Sequence, residues 1–302
     1  MTYVYNIAGL NISIDVPYEI KFMRRFEDFY VKNNKSQSDI YYNFIEVKER
    51  KKFKTLPIHR STEFNIYYED SIFYREFIYL NNKEPNTCLV DRGDNNYICY
   101  LYNKYVHEEV QYSNIFDSLA LESAVIKQNV FILHSSFINY QGNAILFSGD
   151  SGVGKSTQAN LWEKYKNVEV VNGDRAFIRK INNIWYAYGS PFSGSSKIYK
   201  NESYPITSIV MLKQAKENKI IRLDKKQAFR SIVRQVTVNR WNSDFYNNVI
   251  DLVDELTNDI TVYLLECLPN EGAVNLLEEY IKGDLKNESK DNWASNSKLF
   301  IW

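Results

Sequence analysis

Residues Phe147–Gln158 read FSGDSGVGKSTQ, and this stretch decides how the second half of the chain is read. Gly149 and Gly154 have four residues between them and are followed by Lys155 and Ser156, which completes the P-loop (Walker A) pattern. An apolar run, NAILFS, enters the loop and helix-forming residues leave it. The glycines let the backbone curl so that successive N–H groups point inward, and a helix beginning near Lys155 adds its positive end. Gly149, Asp150, Ser151, Gly152, Val153, Gly154, Lys155, Ser156 and Thr157 are therefore expected to cradle a nucleotide's phosphates. Lys155 brings a full charge to the terminal phosphates, and Ser156 offers a hydroxyl to magnesium, with Thr157 as its neighbour.

Working outward, VEVVNGDRAFI places Asp174 at the end of the next apolar strand, where a nucleotide-bound magnesium finds a carboxylate. Upstream, VFILHSSFINY and NAILFSG flank Gln141-Gly142, which reads as a two-residue hairpin turn. Pairing Tyr140 with Asn143 then sets His134 opposite Gly149, at the mouth of the loop. Histidine is the side chain most easily poised near neutral pH, so His134 is a candidate for proton transfer or for a phosphate oxygen. His59 and His107 have no such placement. The hydroxyl-rich stretch YGSPFSGSSKIYKNES contributes Ser193, Gly194, Ser195, Ser196 and Lys197 as candidate acceptor-side residues, against an ordinary exposed loop. Arg240, in TVNRWNSD, could reach a phosphate or form a surface ion pair.

The bulk composition narrows the function classes. Lys+Arg equals Asp+Glu at 37 each in 302 residues, so no broad basic face for nucleic acid is indicated. The start, MTYVYNIAGLNISI, has neither a basic opening nor a continuous apolar run, so no signal peptide is expected. No apolar stretch approaches the ~20 residues of a membrane helix. The three cysteines share no metal-type spacing, and a reducing, cytoplasmic setting is expected.

Residues 1–125 carry short alternating segments such as FNIYYE, IFYREFIYL, TCLVD and YICYLY between turn signals. They predict an antiparallel meander with one helix near Tyr18–Asn33, and helical spacing follows over Ser113–Asn129. Residues 126–282 mix strands and helices, with Asp224 and either Asn242 or Ser243 as helix caps. The fold class is α/β (α+β): a β-rich N-terminal region of unknown role, then a P-loop domain with a mixed sheet. The polar segment 283–302 is expected to be a flexible tail.

The run HSSFINYQGNAILFSGDSGVGKST resembles the HPr kinase/phosphorylase family, whose nucleotide domain is akin to that of phosphoenolpyruvate carboxykinases. The likeness covers Phe131–Arg175 and continues more weakly to Tyr280. Some similar HPr kinase-like proteins accompany peptide-modifying systems and phosphorylate a peptide serine. The resemblance implies an ATP- and magnesium-dependent serine kinase, with Lys155 at the phosphates, Ser156 and Asp174 on the metal, and Asp174 or His134 taking the hydroxyl proton. GTP is left open as nucleotide, a small molecule as acceptor, and a homo-oligomer as assembly. Two departures stand out. The family's paired aspartates before Arg appear here as Gly173-Asp174-Arg175, and Thr157 replaces the glutamate after the loop serine. One carboxylate of a pair is missing, so a nucleotide-binding module without turnover is the alternative.

Overall fold

The computed structural model describes residues 1–19, 24–32, 37–79, 84–105 and 114–296. His107, part of the helix expected over 18–33, the start of that expected over 113–129, and the end of the tail lie outside them. The chain divides into two units, Met1–Phe131 with Val238–Val249, and Ile132–Thr237 with Ile250–Trp302.

The first unit is built on β1 (Thr2–Ile7), β2 (Leu10–Asp15), β3 (Ile40–Val47), β4 (His59–Arg60), β5 (Phe64–Glu69), β6 (Ile72–Phe77), β7 (Thr87–Asp91) and β8 (Asn96–Tyr102). They form one sheet in the order β1-β2-β3-β8-β7-β6-β5-β4. Alternation of apolar and polar residues puts Tyr5, Ile12, Tyr42, Tyr97 and Leu101 inside. The meander holds from β5 to β8, but β2–β3 and β3–β8 are parallel, which corrects the all-antiparallel expectation. A short α1 (Arg24–Glu27) adds Phe26, which stacks on Phe116 with ring centroids 3.9 Å apart.

The helix expected over Ser113–Asn129 is broken. Two 3₁₀ segments, Asn114–Leu119 and Ile126–Gln128, flank α2 (Leu121–Val125). Ala120 is left-handed at φ 46°, and the Leu119 carbonyl accepts the Tyr42 hydroxyl at 2.8 Å. A tertiary hydrogen bond thus satisfies a carbonyl that a continuing helix would have used. The segment Val238–Val249 joins this unit through Asn239, which donates to Ser123 Oγ at 2.7 Å, and through Trp241, whose ring lies tilted against His59 with centroids 4.7 Å apart.

The second unit opens with the β9 (Val130–Tyr140) and β10 (Asn143–Ser148) hairpin. Gln141 and Gly142 both have positive φ, 54° and 81°, as the tight primed turn requires. Next come α3 (Lys155–Lys166), β11 (Glu169–Asn172), β12 (Arg175–Ile181), β13 (Ile184–Tyr188), β14 (Ser203–Gln214), β15 (Lys219–Arg222) and α4 (Lys225–Val233). Then follow α5 (Ser243–Asp259), which belongs to this unit from Ile250 onward, β16 (Thr261–Cys267) and α6 (Glu271–Asn296). Asp224 closes a capping box with Gln227, and Asn242 Oδ1 accepts the Phe245 amide at 3.0 Å.

The mixed sheet runs β10-β9-β12-β13-β14-β16-β15, with β11 on β9 and a parallel β10–β14 pairing. Its core gathers Phe147, Trp162, Val210, Leu265 and Leu277. The last helix runs past Gly283 to Asn296, so helical backbone occupies much of the segment read as a tail. No helix among the described residues is long and apolar enough to cross a membrane.

Candidate functional site

Strand β9 organises the site because it pairs on both sides. Along β10 the register runs from Asn143↔Tyr140 to Ser148↔Ser135, which carries the expected pairing up to His134 at the loop. Along β11 it pairs Val170 with Ile138 and Asn172 with Phe137, bringing the 172–175 turn to the same end. The Ser148 hydroxyl donates to the His134 carbonyl at 2.8 Å, and the His134 amide donates to the Gln235 carbonyl at 2.9 Å.

The loop has the conformation its glycines allow. Gly149, Gly152 and Gly154 sit at φ 141°, 77° and 114°. A Cβ on Gly149 would meet the Leu212 carbonyl oxygen and Val153 Cγ1, each at 3.2 Å. Helix α3 starts at Gly154 with no side-chain cap, and its first internal bond runs from the Gln158 amide to the Gly154 carbonyl at 2.9 Å. The amides of Lys155, Ser156 and Thr157 therefore have no partner within the helix, which leaves a positive terminus suited to an anion.

Lys155 is only 8% exposed, and its Nζ donates to the carbonyls of Gly149 at 3.0 Å and Asp150 at 3.2 Å. Burial pushes this ammonium below its ordinary value, while Asp174 and Asp150 pull it back up. Two side chains brace the loop from outside: Gln235 Nε2 donates to Asp150 Oδ1 at 3.0 Å, and Gln214 Nε2 to the Gly152 carbonyl at 3.2 Å.

On the other side of β9, Asp174 Oδ1 lies 3.3 Å from His134 Nε2, and Oδ2 lies 3.5 Å from Arg175 Nε. The hydrogen bond from His134 lowers the Asp174 carboxyl below its ordinary value, burial opposes this, and Arg175 and Lys155 reinforce it. The Ser156 hydroxyl donates to the Gly173 carbonyl at 3.3 Å, so it faces the turn that carries Asp174, whereas Thr157 is exposed.

The 190s loop packs on this turn. Gly194 is left-handed at φ 53°, and a Cβ there would lie 2.9 Å from Asp174 Cγ. A Cβ on Gly173 would lie 2.0 Å from Ser196 Oγ. Ser196 is locked in place, donating to the Ser193 carbonyl at 2.6 Å and accepting the Ile198 amide at 3.2 Å. The space that a side chain at position 173 would take is thus filled from across the turn by Ser196. Ser193, Gly194, Ser195 and Ser196 belong to this turn, and Lys197 follows it, exposed.

Sequence reasoning placed His134, Asp174 and the loop residues in one neighbourhood, and the second unit brings them together. Arg240 is exposed and belongs to the first unit. Sequence reasoning gave no role to Asn172, which is fully buried and holds the turn and the 190s loop at once. Its only sequence signal is the turn tripeptide Asn172-Gly173-Asp174.

Ser156, Asp174 and the loop amides form an oxygen-and-amide set that fits a magnesium-bound phosphate chain, since magnesium takes few protein ligands and keeps waters. Among the described residues no group of three or more His, Cys, Asp or Glu side chains gathers as a metal cage.

No family model matches the sequence, and no curated protein matches it. Among solved structures, the Hpr(Ser) kinase/phosphatase from Coxiella burnetii is similar at 11% identity, over 56% of this chain and 99% of that one, with a TM-score of 0.33.

Proposed function

We propose that this protein is an ATP-dependent, magnesium-requiring kinase that phosphorylates a hydroxyl, the first choice being a serine of a peptide or small protein. One observation carries the reading: the Lys155-bearing loop and the Asp174–His134 pair meet at one end of β9. Phosphoryl transfer asks a protein chiefly for positioning and charge stabilisation. The uncapped amides of α3 bind phosphate oxygens, and Lys155 adds a fixed positive charge beside them. Ser156 and Asp174 would hold a magnesium ion, which would offset the charge of the phosphates.

Asp174 has two candidate roles. A general base works best near the operating pH, whereas a carboxylate held ionised suits a cation. We assign Asp174 to the metal first. His134 keeps Asp174 ionised and oriented. The acceptor hydroxyl loses its proton late, to Asp174, to His134 or to water. The cytoplasm fits three buried cysteines that form no disulfide.

The test is transfer of a labelled terminal phosphoryl group to serine-containing peptides. The wild-type chain should transfer the label, and Lys155→Ala and Asp174→Asn should each abolish that transfer.

A second reading has its own observation. Ser196 fills the space at Gly173, so the turn offers one carboxylate rather than two. In that case the protein binds nucleotide without turnover. Magnesium-dependent ATP binding with neither hydrolysis nor transfer would favour this reading, and turnover lost in Asp174→Asn would exclude it.

A further inference from the structure

The Asn172 side chain is fully buried, and both ends of its amide are used. Its Oδ1 accepts the amides of Asp174 and Arg175, each at 2.9 Å. Its Nδ2 donates to the carbonyls of Ser190 at 2.9 Å and Phe192 at 3.1 Å. Two N–H groups on one side and two carbonyls on the other allow only one orientation of the amide. Aspartate has no donor for the carbonyls, serine has one oxygen for four partners, and glutamine is a methylene longer. The site therefore selects asparagine by its hydrogen bonding.

What those four bonds join matters more than their number. One pair fixes the backbone that aims the Asp174 carboxylate. The other fixes the start of the 190s loop, whose Gly194 leaves no room for a Cβ beside that same carboxylate and whose Ser196 takes the space a Cβ on Gly173 would need. Arg175 extends the joint, its guanidinium 5.9 Å from the centre of the Phe192 ring. The spacing between the carboxylate and the loop wall is thus set from beneath by one buried amide.

We propose that Asn172 is a positioning residue for phosphoryl transfer: it pins the Asp174 turn and the 190–198 loop into one clamp, so that an acceptor held by the loop meets the terminal phosphate in line. This rests on the kinase reading above. Asn172 touches neither nucleotide nor acceptor, and it acts through Asp174 and through the Ser190 and Phe192 carbonyls. Loss of the clamp leaves the phosphate cradle intact and misplaces the reacting groups. A displacement of about 1 Å in such a geometry lowers turnover on the order of 100-fold.

The experiment is steady-state release of ADP from magnesium-ATP, with water as acceptor, by the full chain, compared with Asn172→Ala and Gly194→Ala. Gly194 sits in an exposed turn, so its variant decides the matter should Asn172→Ala fail to fold. The new methyl group would press on Asp174 and lift the loop. The expected result is a kcat lowered about 100-fold in Asn172→Ala and about 10-fold in Gly194→Ala, with KM for magnesium-ATP within about threefold of wild type. A wild-type kcat in both variants, or a raised KM at unchanged kcat, would overturn the assignment while leaving the kinase reading standing. A wild-type chain that binds nucleotide but neither releases ADP nor transfers label to serine-containing peptides would remove both.

Discussion

Gly173→Ala is the perturbation whose outcome follows most directly from the structure. The new Cβ would sit 2.0 Å from Ser196 Oγ and 2.4 Å from Ser196 Cβ. Non-bonded carbons prefer about 3.5–4.0 Å, so the 190s loop must retreat by more than 1 Å. Overpacking of this kind costs about 1–3 kcal/mol. The retreat also strains the two hydrogen bonds of Ser196, worth about 1 kcal/mol each. We expect a loss of about 2–4 kcal/mol in all, read as a urea midpoint lower by about 1 M.

The decisive comparison is the double mutant. Ser196→Gly removes both clashing atoms at a cost of about 1–2 kcal/mol in lost bonds and added chain freedom. Gly173→Ala in that background should then be nearly neutral, a coupling of about 2 kcal/mol. Ser196→Ala should not rescue, because its Cβ remains in the way. Additive losses, or a neutral Gly173→Ala in the wild-type background, would refute the packing of the 190s loop on the Asp174 turn.

Three further outcomes follow. The Asp174 carboxyl lies below its ordinary value, so the stability it contributes is present above about pH 4 and is lost as pH falls through the folded value. Removing the hydrogen bond in His134→Ala should move the pH at which magnesium-nucleotide binding fails on acidification upward, measured by calorimetric titration at several pH values. Glu278 gathers Tyr140, Lys166 and Lys282 and joins α3 to α6; burial pushes its carboxyl up, and these bonds hold it down at about 2. Glu278→Ala should destabilise the chain by about 1–2 kcal/mol at pH 7, and the difference from wild type should shrink below about pH 4, checked by denaturant unfolding.

Local physics made part of this structure legible. Gln141-Gly142 fixed a two-residue turn, a hairpin then has one register, and that register led to His134. The strand–loop–helix order around Gly149–Ser156 is encoded within a dozen residues, as are the Asp224 and Asn242 caps.

The remainder depended on partners distant in sequence. Parallel pairing of β2, β3 and β8 leaves no local mark, because it is decided by which strands meet after the chain has crossed over. The break at Ala120 depends on a hydroxyl 77 residues from the carbonyl it binds. Asn239 and Trp241 tie the 238–249 segment to the first unit through Ser123 and His59, which no periodicity announces. Asn172 read as an ordinary turn residue because the carbonyls it holds are 18 and 20 positions away.

The most direct measurement is calorimetric titration of the purified full chain with ATP, with and without magnesium. The amide cradle at the start of α3 and the Lys155 charge predict saturable uptake that strengthens with magnesium and weakens on the order of 100-fold in Lys155→Ala, since a charge-assisted contact is worth about 1.5–3 kcal/mol. Absence of magnesium-dependent heat with ATP or GTP at millimolar concentration, or a Lys155→Ala chain that binds as well as wild type, would contradict it.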